Sequence, residues 1–131
     1  MGARPPARQK ERIDRLRDRC EALGRGRDAV DVAPEFGVTI ARTAEEAEAR
    51  HLASGLVAHR QSLNYTGRDL SQQVVANLVG SPELILEKVA GLQALGVDHC
   101  CALMFPAETM AEYEDQIEWF AKTVIPGGRP A

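Results

Sequence analysis

Asn77 to Pro106, NLVGSPELILEKVAGLQALGVDHCCALMFP, sets the architecture of this chain. Leu78 and Val79 make a short apolar approach to a turn at Gly80. Ser81 is then a good N-cap, because its hydroxyl accepts from free first-turn amides, and Pro82 suits a first helical position that needs no donor. Glu83 places negative charge at the positive end of the helix dipole. Ile85, Val89 and Leu92 follow at spacings of four and three, which gathers them on one face. Gly96 ends the helix by permitting a left-handed backbone. From His99 the chain turns apolar, and Cys100 to Phe105 is apolar on both alternations, the pattern of a parallel strand covered on both faces. The unit is helix, tight turn, buried strand.

Upstream, Glu35 to Arg42 reads as a second strand, with bulky Phe36, Val38 and Ile40 alternating with slim Gly37, Thr39 and Ala41. Slim positions suit a face that a ligand or another backbone approaches closely. Thr43 and Glu46 form a capping box for a helix running from Ala44 to about His59. Residues Ala7 to Leu23 form an amphipathic helix, with Ile13, Leu16, Cys20 and Leu23 on one side and a stop at Gly24. A last helix opens with a second capping box, Thr109 with Glu112, and carries Tyr113, Ile117, Phe120 and Val124 as an expected buried stripe. Arg60 to Ala76 is polar and aperiodic.

These pieces resemble, in order and spacing, the C-terminal end of the luciferase-like flavin-dependent monooxygenases. The resemblance is carried by Gly80-Ser81-Pro82-Glu83, Gly96-Val97-Asp98-His99 and the strand to Pro106. It extends back through Phe36 to Ala47 and forward to Trp119-Phe120 and Pro126, covering most of residues 10 to 126. That family folds as a TIM barrel. A complete (β/α)8 barrel needs about 250 residues, and the chain has 131. The implied fold is therefore α/β, a partial TIM barrel comprising the last two βα units, a lid insertion at about 54–79 and a preceding helix. Residues 1–7 and 127–131 are expected to be tails around a segment at 8–126.

The resemblance implies FMN or deazaflavin chemistry on an organic substrate and dioxygen, acting on paired donors with incorporation of one oxygen atom. The chain alone is expected not to hold the cofactor. The alternative is a non-catalytic partial barrel acting as an interaction or regulatory subunit. A homo-oligomer or a complementary barrel chain is the expected partner under both readings, because an open sheet leaves edges to cover.

Barrel active sites lie at the C-terminal ends of the strands. Gly80 and Ser81 are thus candidates for a cofactor phosphate, since free amides and the helix dipole favour anions there. Ser81 is equally explained as a helix cap. Arg42, Met104 and Phe105 are candidates for the substrate pocket, against the plainer readings of a surface ion pair and core packing. His99 begins its strand at the stability face, and His51 and His59 read as solvent-facing or packed. No catalytic residue and no metal site is expected.

Composition narrows the classes further. The apolar share of 44% and charged share of 27% are those of an ordinary globular domain. No run approaches a membrane span and the N-terminus lacks the apolar core of a secretory signal, so a cytoplasmic protein without membrane or nucleic-acid partners is expected. Three cysteines show neither zinc nor disulfide spacing. Residues 1–27 carry nine basic and four acidic side chains, a charge of +5 against −8 for the remainder. The acids interleave with the bases, as on a solvated helix face.

Overall fold

The computed structural model describes residues 2–63 and 71–128. Among them are six helices and three strands: α1 (Pro6–Ala22), β1 (Glu35–Ile40), α2 (Ala44–Leu52), α3 (Gly55–Ser62), α4 (Gln73–Ala76), β2 (Leu78–Gly80), α5 (Pro82–Ala94), β3 (Cys101–Met104) and α6 (Met110–Thr123). The three strands are mutually parallel, in the order β2-β1-β3.

The expected caps are in place. Thr43, Ser81 and Thr109 accept from the amides of Glu46, Leu84 and Glu112, at 3.2, 3.3 and 3.2 Å. Gly96 takes a φ of +93° where α5 stops. The bulky face of β1, with Phe36, Val38 and Ile40, packs with Ile13 of α1, Ile85 and Leu92 of α5, and Phe120 and Val124 of α6. On the other face Ala41, Ala47 and Val79 form a second cluster under α2. Helices thus lie on both faces of the sheet.

Several sequence expectations are corrected. Leu78 to Gly80, read as an approach to a turn, is a strand in regular register with Val38 to Ile40. It was too short to show a period, so the chain contains three strands rather than two. The helix expected from Ala44 to His59 is two helices, broken where the Ser54 side chain accepts from Val57 and caps α3. Cys100 to Phe105, expected to be buried on both faces, is the exposed strand β3: Cys101 and Ala102 are exposed, Leu103 and Met104 half-buried. Nothing in the described chain covers its outer side. The expected stripe of the last helix is split, with Phe120 and Val124 buried but Tyr113 and Ile117 39% and 36% exposed.

Strand order and register explain these outcomes. Consecutive strands of a barrel lie side by side, and β1 and β2 do so. β3 instead flanks β1 on the opposite edge, pairing Cys101 with Glu35 and Met104 with Gly37 across a register shift. Ala102 within it has a φ of +45°. Gly2, in the segment expected as a tail, bridges to the same Glu35. Of the expected lid at 54–79, α3 and α4 are described, while 64–70 lie outside the described residues.

Side chains close the edges that strands leave open. In a parallel ladder one residue directs both its amide and carbonyl to one edge, and the next residue directs them to the other. Ile40 therefore faces away from β2, beyond the reach of β3, and the Gln116 carboxamide of α6 pairs with it on both sides: Oε1 accepts from its amide and Nε2 donates to its carbonyl, each at 2.9 Å. At the other end Asn77 Oδ1 accepts from Gly37 at 2.7 Å. On the free edge of β2, the Lys88 ammonium donates to the carbonyls of Val74, Asn77 and Val79 at 2.9, 3.1 and 2.9 Å. Burial pushes this ammonium below its ordinary pKa, with Glu48 acting in the opposite direction.

Candidate functional site

Because the strands are parallel, their C-terminal ends share one rim. The Ala41 amide donates to the Gly80 carbonyl at 3.2 Å, so Arg42 and Ser81 emerge from adjacent strand ends. Arg42 is exposed, and among the described residues it has no ion-pair partner. Gly80 has a φ of +155°, and an added Cβ would lie 2.8 Å from Leu84 Cδ2. Met104 and Phe105 are not brought to this rim. Met104 pairs three residues short of Ile40, at Gly37. Phe105 packs edge-on against Tyr113 and Phe120, with ring centroids 6.4 and 5.5 Å apart.

The α5 N-terminus does not fit an added phosphate well. The Ser81 hydroxyl already accepts from Leu84. Glu83 bonds its own backbone amide and the Ser81 side chain, which hold its carboxyl below the usual carboxylate range. A flavin phosphate here would have to displace an acid that the chain itself supplies.

The slim face of β1 holds a polar cluster that sequence reasoning missed. His51, expected to face solvent or pack, is fully buried and has Nδ1 2.9 Å from Thr39 Oγ1. Its Nε2 has no hydrogen-bond partner among the described residues. Burial first, then the positive charges of Arg60 and Lys88, push its pKa down to about 4, so the ring is neutral at pH 7. Gly37 admits this arrangement: a Cβ there would lie 3.1 Å from His51 Cε1, 3.1 Å from Leu56 Cδ2 and 3.2 Å from Asn77 Oδ1. Arg60 donates to Gln73 Oε1 at 2.9 Å, and Asn77 Nδ2 donates to the Gln73 carbonyl at 2.6 Å. The available signal was the run of slim residues 37, 39 and 41, which requires something bulky opposite.

The other histidines and the cysteines are peripheral to the rim. His99 lies 3.4 Å from Asp31 at an exposed pair, and His59 is exposed. All three cysteines are free thiols. Among the described residues no cluster of acids, histidines and cysteines has the makings of a metal site, and no helix is long and apolar enough to cross a membrane.

Comparison with known proteins places this arrangement. A sequence model of the luciferase-like monooxygenases matches residues 1–99, and no curated protein matches the chain. Among solved structures, the coenzyme F420-dependent tetrahydromethanopterin reductase of Methanopyrus kandleri superposes with a TM-score of 0.67 at 18% identity, over 98% of this chain and 44% of its own. An F420-dependent secondary alcohol dehydrogenase gives 0.68 at 14%, over 98% and 42%. The oxygenating constituent of 3,6-diketocamphane monooxygenase from the CAM plasmid of Pseudomonas putida, solved with FMN, gives 0.62 at 18%, over 96% and 41%. At such identities the likeness is one of fold, and the chain spans about two fifths of these structures. With its family model matched over three quarters of its length, the chain belongs to the luciferase-like monooxygenases.

Proposed function

We propose that the chain supplies the closing part of a flavin- or deazaflavin-dependent barrel enzyme that oxidises an organic substrate, with dioxygen as co-substrate in the monooxygenase case. The observation that carries this reading is the shared rim of β1 and β2, which presents Arg42, without an ion-pair partner among the described residues, beside Gly80 and Ser81 on a chain of this family. Arg42 has the chemistry to meet an anionic or carbonyl group of the substrate. Gly80 leaves its strand end bare of a side chain. The cofactor phosphate belongs with the part of the barrel outside this chain, because Glu83 already answers the dipole of α5. Met104 and Phe105 reach the pocket only if β3 moves along β1. When bound, the cofactor supplies the redox chemistry, while the protein positions and shields it. Segment 54–79 is assigned to the substrate side as a lid.

The test is to purify the chain alone and with a polypeptide carrying the earlier strands of the barrel, then titrate each with FMN and with F420. Expected is no bound cofactor on the chain alone, and yellow, stoichiometric cofactor with turnover on the pair. In the pair, Arg42→Ala should raise KM while leaving cofactor occupancy unchanged. A folded pair that binds neither cofactor overturns the proposal.

A further inference from the structure

Every acid on α1 is already engaged. Glu11 is held by Arg8 at 2.8 Å, Asp14 by Lys10, and Asp18 and Glu21 by Arg27 at 2.9 and 2.7 Å. Arg12, Arg15 and Arg19 are exposed and have no acidic partner among the described residues. Spaced by three and four, they share one face of the helix, where like charges repel. α1 therefore carries a row of cations that its own acids leave unbalanced.

That row runs through an apolar seam. Arg12, Leu16, Arg19 and Leu23 recur at four, three and four, the spacing at which one helix meets another along a shared line. At 1.5 Å per residue the line is about 16 Å long, and Arg15 flanks it. Leu16 packs against the core, which fixes the seam to the body of the molecule, while Leu23 at the C-cap is 64% exposed. Arg12, Arg15, Leu16 and Arg19 line one shallow depression.

We propose that this seam docks a helix of another protein, one that sets Asp or Glu opposite Arg12, Arg15 and Arg19 and apolar side chains opposite Leu16 and Leu23. The pattern of charge and leucine selects that occupant. A second copy of α1 would bring two arginine rows together. A phosphodiester chain would use the arginines but leave the leucines without a partner, and α1 has no aromatic ring on which a base could stack. A lipid surface needs a broader apolar face than two leucines supply. An acidic amphipathic helix answers both parts of the seam at once. The docking needs no cofactor, so it stands or falls separately from the flavin reading.

The experiment titrates the 131-residue chain into two labelled helical peptides of one composition and follows fluorescence anisotropy. In the first, Glu and Leu alternate at spacings of four and three along one face. In the second, the same residues are permuted so that Glu and Leu fall on opposite faces. Expected is binding of the first, at least about tenfold weaker binding of the second, and a loss of at least about tenfold when salt is raised from roughly 0.05 to 0.5 M. Replacing the row together, Arg12→Gln, Arg15→Gln and Arg19→Gln, should weaken the first peptide by at least about tenfold as well. Equal affinity for the two peptides, binding of neither, or retained binding by the folded triple variant overturns the proposal. So does tighter binding to a short DNA duplex or to phosphatidylserine vesicles, or pairing of the chain with itself through α1. Should the triple variant fail to fold, Leu23→Glu at the exposed end of the seam serves instead, with binding lost as expected and unchanged binding overturning.

Discussion

His51 shows how one buried ring can govern the response of the whole chain to acid. Its folded pKa of about 4 lies below the ordinary histidine value of 6.5, so between those values the unfolded chain binds more protons than the folded one. Stability is then fully present above about pH 6.5 and is lost as pH falls towards 4, by on the order of 3 kcal/mol in all. Urea midpoints measured across this window should fall with acid, and His51→Leu should flatten the slope there. Glu83, Glu112 and Glu118 are all held below the ordinary carboxylate range, so their losses begin lower. The glycines allow a second comparison at this scale. Gly80→Ala forces a side chain into a left-handed backbone and against Leu84, and should cost about 1–3 kcal/mol. Gly91→Ala, in the middle of α5 with nothing within 4 Å of the added methyl, should instead stabilise by about 0.5–1 kcal/mol. Thermal melts of the two variants should move in opposite directions.

At the scale of elements, two carboxamides and one ammonium finish the sheet where its strands leave backbone groups open. Gln116→Met would keep the volume and strand both the amide and the carbonyl of Ile40, at a cost of about 1–3 kcal/mol for each buried group. The fall should appear in urea unfolding followed by fluorescence of Trp119, three residues along the same helix. Most elements were legible in the sequence: the caps at Thr43, Ser81 and Thr109, the stop at Gly96 and the alternation of Phe36, Val38 and Ile40 are local signals, each written within a few residues. β2 was not, because three residues carry no period. The roles of Gln116, Lys88 and Asn77 were not either, since each partners a backbone whose position only the tertiary fold supplies. The same reason hid the burial of His51. That Arg42, Gly80 and Ser81 lie at adjacent strand ends was legible in the sequence, whereas the separation of Met104 and Phe105 from them follows from a register that no local pattern encodes.

For the whole molecule, sequence pattern and exposure part company at β3 and α6. β3 has the composition of a strand sealed on both sides, yet Cys101 and Ala102 stand exposed, and α6 turns three large apolar residues outward. The chain covers about two fifths of its solved relatives, so its surface includes what would be interior in them. Exposed apolar surface of this kind favours association. The melting midpoint should therefore rise with protein concentration, because association through these surfaces would stabilise the folded form by mass action. A midpoint constant over a hundredfold dilution would remove that coupling.

The three thiols offer a consequence of a different kind. Cys101 is exposed on β3, Cys100 beside it is half-buried, and Cys20 is sealed inside the contact of α1 with the core. Burial, and then Cys101 beside it, push the Cys100 thiol upward, which withholds the reactive thiolate. An alkylating reagent should thus modify Cys101 first, Cys100 when the β3 edge lifts, and Cys20 only when the fold opens. One mass spectrum per time point would then time the opening of the molecule from its last strand to its first helix.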